Sequence, residues 1–251
     1  MKTESVQQDY ASAIRAWAHG MATAKVSAVE SSLALGDSMD RVKMFVEGNY
    51  EKRIDKLLRQ AELLEDVVDD LEDRVISFMK EVPLGAYDTG CSDGDRFLGW
   101  LQDVGQLTLE QEDHVECQRA RLKLEDVARA NRVGHVWFQD LWSLTETALD
   151  EFDVDSHDRI HLNPIHVETR FETTSLLDDD DEAPTDVVVY ACENNMRTAV
   201  LEPIAQRVCD VLRQDGPKSI DDLKDKLLEF DKDEIFEVCR DSVEMGLMAL
   251  G

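Results

Sequence analysis

Three histidines fall close together in the chain, His157, His161 and His166, beside Asp153, Asp155 and Asp158. Imidazole nitrogens and carboxylate oxygens are ligands for zinc and other transition metals, so the segment has the residue types of a metal site. The spacing speaks against one. His157 and His161 would share a face only on a helix, and Asn163-Pro164 makes the segment extended, because proline lacks an amide hydrogen and restricts the residue before it. The run Asp88-Thr89-Gly90-Cys91-Ser92-Asp93-Gly94-Asp95 has the carboxylates and glycines of a calcium loop, but neither the EF-hand order nor its closing bidentate Glu. Cys91 is the thiol most open to reaction, yet Asp88, Asp93 and Asp95 raise a neighbouring thiol's pKa and suppress its thiolate. No GxSxG, HExxH, Walker or GxGxxG pattern is present. These residues therefore assign neither a catalytic group nor a metal ligand, and a stand-alone metalloenzyme is the least favoured reading.

Charge narrows the classes further. The 251 residues hold 27 Lys and Arg against 55 Asp and Glu, a formal charge of −28. Nucleic-acid binding needs clustered cations to neutralise phosphate, and docking on anionic lipid needs the same, so neither partner is expected. A basic peptide, or a protein with a basic patch, would be steered toward this chain. A saline habitat is the other reading of the acidity. The start, MKTESVQQDY, lacks a basic and then apolar leader pattern, and no stretch approaches the roughly 18 apolar residues of a membrane span. The cysteines (Cys91, Cys117, Cys192, Cys209, Cys239) are odd in number and contain no CxxC pair. Reduced thiols in a cytoplasmic protein are expected.

The elements fall into two halves, residues 1–150 and 151–251. From Tyr10 to about Leu149 the signal is helical. Between Tyr50 and Lys80, Ile54, Leu57, Leu58, Ala61, Leu64, Val68, Leu71, Val75, Phe78 and Met79 recur at spacings of three and four, the apolar face of one long helix or two joined ones. Pro83 ends it. Arg96 to Asp103 is a shorter amphipathic helix, Thr108-Leu109-Glu110-Gln111 opens another with a capping box, and Trp137 to Leu149 is a further candidate.

After Asp150 the texture changes. Ile160 to Phe171 reads as extended, with Ile165, Val167, Thr169 and Phe171 alternating against polar residues. Asp178 to Glu182 is an acidic loop closed by Pro184. Asp186 to Cys192 and Met196 to Leu201 flank Glu193-Asn194-Asn195, which spells a β-hairpin. Helices follow over Pro203 to Gln214, Ser219 to Phe230 and Asp231 to Leu247. The fold class is α+β, mostly α: a helical N-terminal domain, then a small three-stranded sheet with three helices.

The order from Leu162 to Leu250, carried by VVVYACENNMRTAVLEPIAQRVCDVLRQDGPKSIDDLKDKLLEF and EIFEVCRDSVEMGLMAL, resembles the PqqD-like peptide-recognition element. This is a winged-helix domain that holds leader peptides in ribosomal peptide natural-product pathways. VEGNYEKRIDKLLRQAELLEDVV, CSDGDRFLGWL, RARLKLEDVARAN and LNPIHVETRF are similar to blocks of the partner subunits of multinuclear non-haem iron-dependent oxidative enzymes, the methanobactin-type partners among them. The acidic loop and the charge depart from that pattern. The resemblance implies a non-catalytic subunit without a cofactor of its own. It would bind a precursor peptide and present its cysteine to an iron-bearing oxidase.

A peptide site can also be read from the residues. In a three-stranded meander with Val187 to Cys192 in the middle, Met196, Arg197, Thr198, Ala199 and Val200 lie on an edge strand, to which an extended peptide can add. The last helix carries two stripes, Ile235, Val238, Ser242 and Met245, and Phe236, Arg240, Val243 and Leu247. The second lines a groove beside that strand or belongs to the core. Arg240 either pairs with Glu237 or Glu244 or holds an acidic leader residue. Trp137, Phe138 and Trp142 are either core or an anchor for the partner protein.

Overall fold

Helix starts in this chain are written in its capping residues. In a computed structural model describing residues 39–82, 91–149, 152–153, 158–178, 181–193 and 195–251, the chain is mostly helical with small antiparallel sheets. It divides into two compact units, Met1–Gln118 and Arg119–Gly251. Among the described residues no helix is long and apolar enough to cross a membrane.

In the first unit α1 (Met39–Arg59) is followed by a 3-10 turn at Glu62–Leu64, then α2 (Leu71–Glu81), α3 (Asp93–Val104) and the start of α4 (Leu109–Ala130). The apolar face read between Tyr50 and Lys80 is thus carried by two helices, with Leu57, Ala61, Leu64, Val68, Leu71, Val75, Phe78 and Met79 all buried. Helix α3 begins at Asp93, ahead of the expected Arg96, because the Ser92 side chain accepts a hydrogen bond from the Asp95 amide at 3.0 Å and so caps the helix. The Thr108 capping box forms in both directions: Gln111 N donates to Thr108 Oγ1 at 3.3 Å and Thr108 N to Gln111 Oε1 at 3.0 Å. Arg53 is unexpectedly buried, 8% exposed. It donates to both carboxylate oxygens of Asp93 at 2.7 and 2.9 Å, with its guanidinium 5.7 Å from the Phe78 ring centre.

The second unit contains the end of α4, α5 (Arg132–Ala148), β1 (Ile160–Leu162), β2 (His166–Phe171), β3 (Thr185–Cys192), β4 (Asn195–Val200), α6 (Pro203–Asp215), α7 (Ile220–Lys226), α8 (Lys232–Glu244) and β5 (Met248–Leu250). The division at Gln118 lies well before the change of texture at 150. The reason is that α5 belongs to the core of this unit. Trp142 Nε1 donates to the Val243 carbonyl at 2.8 Å, and Thr145 Oγ1 accepts from the Leu250 amide at 2.9 Å.

Strands β2, β3 and β4 form the expected meander with β3 in the middle. Residues Val187 to Tyr190 are all buried because both faces of β3 are covered. Val188, Tyr190 and Cys192 join the cluster of α6, α7 and α8, while Val189 packs with Ile165, Val167, Ala120 and Leu124. The extended stretch from Ile160 is broken at Asn163-Pro164, and its first part, β1, pairs with β5 in a separate two-stranded sheet. Asn163 secures the break. Its Nδ2 donates to the Ala191 carbonyl at 2.8 Å and its Oδ1 accepts from the Ile165 amide at 2.9 Å.

The three helices after the hairpin start where their caps predict. Pro203 occupies the first turn of α6 and Gly216 stops it, an arrangement both residues favour. Ser219 with Asp222, and Asp231 with Glu234, form capping boxes on α7 and α8. Helix α8 ends at Glu244 instead of Leu247. Gly246 takes φ +81°, and the amides of Gly246 and Leu247 bond to the carbonyls of Val243 and Ser242 at 3.0 and 2.9 Å. This Schellman arrangement needs a residue that tolerates the left-handed region, and it turns the chain into β5.

Candidate functional site

Strand β4 pairs with β3 along its full length and has no strand on its other side among the described residues. Directly opposed residues share a face of a sheet. Register with Tyr190 and Val188 therefore places Arg197 and Ala199 toward the helices, while Met196, Thr198 and Val200, opposite Ala191, Val189 and Val187, face the other way. A row of backbone donors and acceptors at such an edge can pair with another extended chain.

Beside this edge lies a hollow of about 150 Å³, lined by Ala199, Val200, Leu201, Glu202 and Ala205 on one side and Val238, Asp241, Ser242, Met245 and Leu247 on the other. An apolar cavity of roughly this volume holds a molecule the size of benzene, hence one medium side chain. Arg197 Nη1 and Tyr190 Oη donate to the same acceptor, the Met245 carbonyl, at 2.9 and 3.0 Å. Burial, the largest influence on Tyr190, pushes its phenol pKa up.

The strip of α8 beside β4 is therefore the one containing Val238, Ser242 and Met245. Phe236, Arg240 and Val243 are placed elsewhere. Phe236 packs against Phe152 with ring centres 5.1 Å apart, and Arg240 Nε lies 3.3 Å from Glu244 Oε1. Val243 is buried and lines a separate hollow of about 310 Å³ with Trp142, Thr145 and Leu149. Of the second stripe, Leu247 lines this hollow and Val243 belongs to the core, so the groove reading is corrected for Phe236, Arg240 and Val243 and the core alternative holds for Val243. Ile235, the first member of the other stripe, is itself core. The sequence signal for the groove was the presence of two stripes; which of them faced the strand depended on how α8 is rotated. Arg197, read as a peptide contact, is engaged with Met245.

Of the three neighbouring aromatics, Phe138 and Trp142 are buried in the core of the second unit, and Trp137 is 50% exposed. Trp137 is therefore the exposed member of the three. Trp137 meets the His161 ring edge-on at 5.2 Å, and both line a shallow hollow of about 370 Å³ with Leu162, Pro164, His166 and Arg213. Burial lowers the pKa of His161 and His166, assisted at His161 by Arg159. Arg213 is already paired with Glu168 and Asp210.

His157 lies outside the described residues, as do 83–90 of the glycine-containing loop and 179–180 of the acidic loop. Among the described residues no group of His, Cys, Asp and Glu is placed to hold a metal ion. Cys91 Sγ donates to Asp95 Oδ2 at 2.7 Å. Burial pushes the Cys209 thiol up to about 12 and raises Cys239 as well, so these two remain protonated and unreactive.

No family model, no curated protein and no solved structure matches the chain.

Proposed function

We propose that this chain is a non-catalytic, cytoplasmic partner subunit. It binds a ribosomally made precursor peptide and presents the peptide's cysteine to a multinuclear non-haem iron-dependent oxidase. The observation that carries this reading is the edge of β4, unpaired among the described residues, lying beside a hollow of mixed apolar and acidic lining that α8 closes. Strand addition supplies affinity through main-chain hydrogen bonds, and a side-chain pocket supplies selectivity. The succession of meander and three helices is what a PqqD-like, winged-helix recognition element requires. Iron belongs to the oxidase in this reading. The surface offered to it is centred on Trp137, with Val133 and Val136 exposed on the same helix.

The test is co-expression with an iron oxidase of that class and its precursor, followed by pull-down on this chain. A ternary complex is expected. Thr198→Pro, or Val238→Trp as a plug for the hollow, loses the peptide and retains the oxidase, with circular dichroism showing that each variant is folded. A second reading, a regulatory winged-helix protein that binds a basic protein, is favoured by the charge of −28. It takes over if neither oxidase nor precursor is retained by the unaltered chain.

A further inference from the structure

The walls of the β4–α8 hollow are apolar except for Ser242 and two carboxylates, Glu202 and Asp241. Glu202 sits just before α6, where its side chain caps nothing. Asp241 projects from α8 one turn from Met245, and neither carboxylate makes an ion pair with a described residue. Two cations on the same elements are committed: Arg197 of β4 is bonded to the Met245 carbonyl, and Arg240 of α8 is paired with Glu244. The hollow therefore offers room for one side chain and two acceptors of positive charge, with no Lys or Arg among its described lining residues to meet an acidic ligand.

We infer that the occupant of this groove is an extended peptide segment with one medium apolar side chain for the hollow and a Lys or Arg two residues from it. This inference rests on the strand-addition reading. In an added strand, residues two apart point to the same face. A chain whose apolar residue enters the hollow from the helix side of β4 thus directs its second neighbour along the same helix, where Asp241 and Glu202 lie at the lining. An acidic neighbour would meet two carboxylates instead. The groove selects the apolar residue by shape and the basic one by charge, and it discriminates against acidic segments by repulsion.

Three labelled seven-residue peptides test this on the full chain by fluorescence anisotropy. Each alternates Thr with a central Leu, flanked two residues away on both sides by Lys, Gln or Glu. Placing the charge on both sides makes the test independent of strand direction. The Lys peptide is expected to bind about tenfold or more tighter than the Glu peptide, with Gln between. Because the whole chain is strongly acidic, the deciding comparison is between variants. Asp241→Asn and Glu202→Gln should each narrow the Lys-to-Glu gap by about threefold to fivefold, the upper part of the range of an exposed ion pair. Asp225→Asn, on α7 and outside the lining, should leave it unchanged.

If Asp241→Asn and Glu202→Gln narrow the gap no more than Asp225→Asn, charge selection by the groove is overturned. Loss of all three peptides in Val238→Trp would then still support the strand-addition reading. If the Lys peptide does not bind the unaltered chain, the inference falls, while the precursor pull-down judges the underlying reading separately. Binding that survives both Val238→Trp and Thr198→Pro would overturn the inference and the reading together.

Discussion

Arg197, on the free edge strand, donates a hydrogen bond to the carbonyl of Met245, the residue that caps the end of α8, at 2.9 Å. The carbonyls at a helix C-terminus have no partner within the helix and carry partial negative charge, so a guanidinium is well suited to this place. Tyr190 reaches the same oxygen from β3. Together they fix the separation of strand and helix on which the groove depends. Arg197→Ala and Tyr190→Phe should each cost about 0.5–1.5 kcal/mol, because the other donor still satisfies the carbonyl. The double variant should cost more than their sum. Hydrogen exchange at the β4 amides and urea denaturation measure this, and strictly additive losses would show that the shared acceptor couples nothing.

Gly246 is constrained twice. Its φ of +81° disfavours any side chain, and a Cβ at this position would stand 2.4 Å from Cys192 Sγ. Gly246→Ala is expected to destabilise the second unit by about 2–4 kcal/mol, combining backbone strain with overpacking. Removing the sulfur separates the two contributions. In a Cys192→Ala background the same change should cost only about 1–2 kcal/mol. Equal costs in both backgrounds would mean that the contact with sulfur carries no strain.

Much of this architecture is local enough to be legible in the residues. Thr108 with Gln111, Ser219 with Asp222, Pro203 and Gly216 mark helix ends because caps act over one turn. The buried run Val187 to Tyr190 marks the central strand because only such a strand is apolar on both faces. What escaped was non-local. Met248-Ala249-Leu250 continues an apolar helical pattern and becomes a strand only because Gly246 reverses the chain toward Ile160. Trp142 joins the second unit through Val243, a partner far along the sequence. The groove is half legible: the hairpin gives its edge strand, whereas only the packing of α8 separates Val238 and Met245 from Phe236 and Val243.

Arg53 shows the same limit in the first unit. A charged residue in a helical pattern reads as solvated surface, yet its partner Asp93 lies 40 positions away and the pair is largely buried. Its Nη1 has no hydrogen-bond partner among the described residues. Removing one member of such a pair strands the other charge, which Arg96 Nη1, 4.0 Å from Asp93 Oδ1, relieves only in part for Asp93, so Arg53→Met or Asp93→Leu should destabilise the unit by about 3–5 kcal/mol. Arg53→Met combined with Asp93→Leu should recover most of that loss, since two apolar side chains leave no buried charge. A double-mutant cycle on urea unfolding tests it, and a double variant as unstable as the sum of the singles would refute the pairing argument.

His166 provides a pH-dependent test. Its Nδ1 lies 2.6 Å from the Asn163 carbonyl oxygen, so Nδ1 carries the proton and donates in the neutral ring. The folded pKa lies below the ordinary 6.5, chiefly because burial disfavours the charged ring. Nearby Arg213 acts in the same direction, while the Asn163 hydrogen bond and Glu168 oppose it without prevailing. As pH falls below 6.5 the unfolded chain takes up a proton that the folded chain still refuses, so this contribution to stability is present above 6.5 and is lost as pH drops toward the lowered folded value. The many surface carboxylates add their own pH dependence, which a variant at this single position shares. Stability should therefore fall more steeply between about pH 7.5 and 5.5 in the unaltered chain than in His166→Gln, where the titrating group is gone. Urea unfolding at the two pH values measures the difference, and parallel pH dependences would show that His166 charges as readily in the folded chain as in the unfolded one.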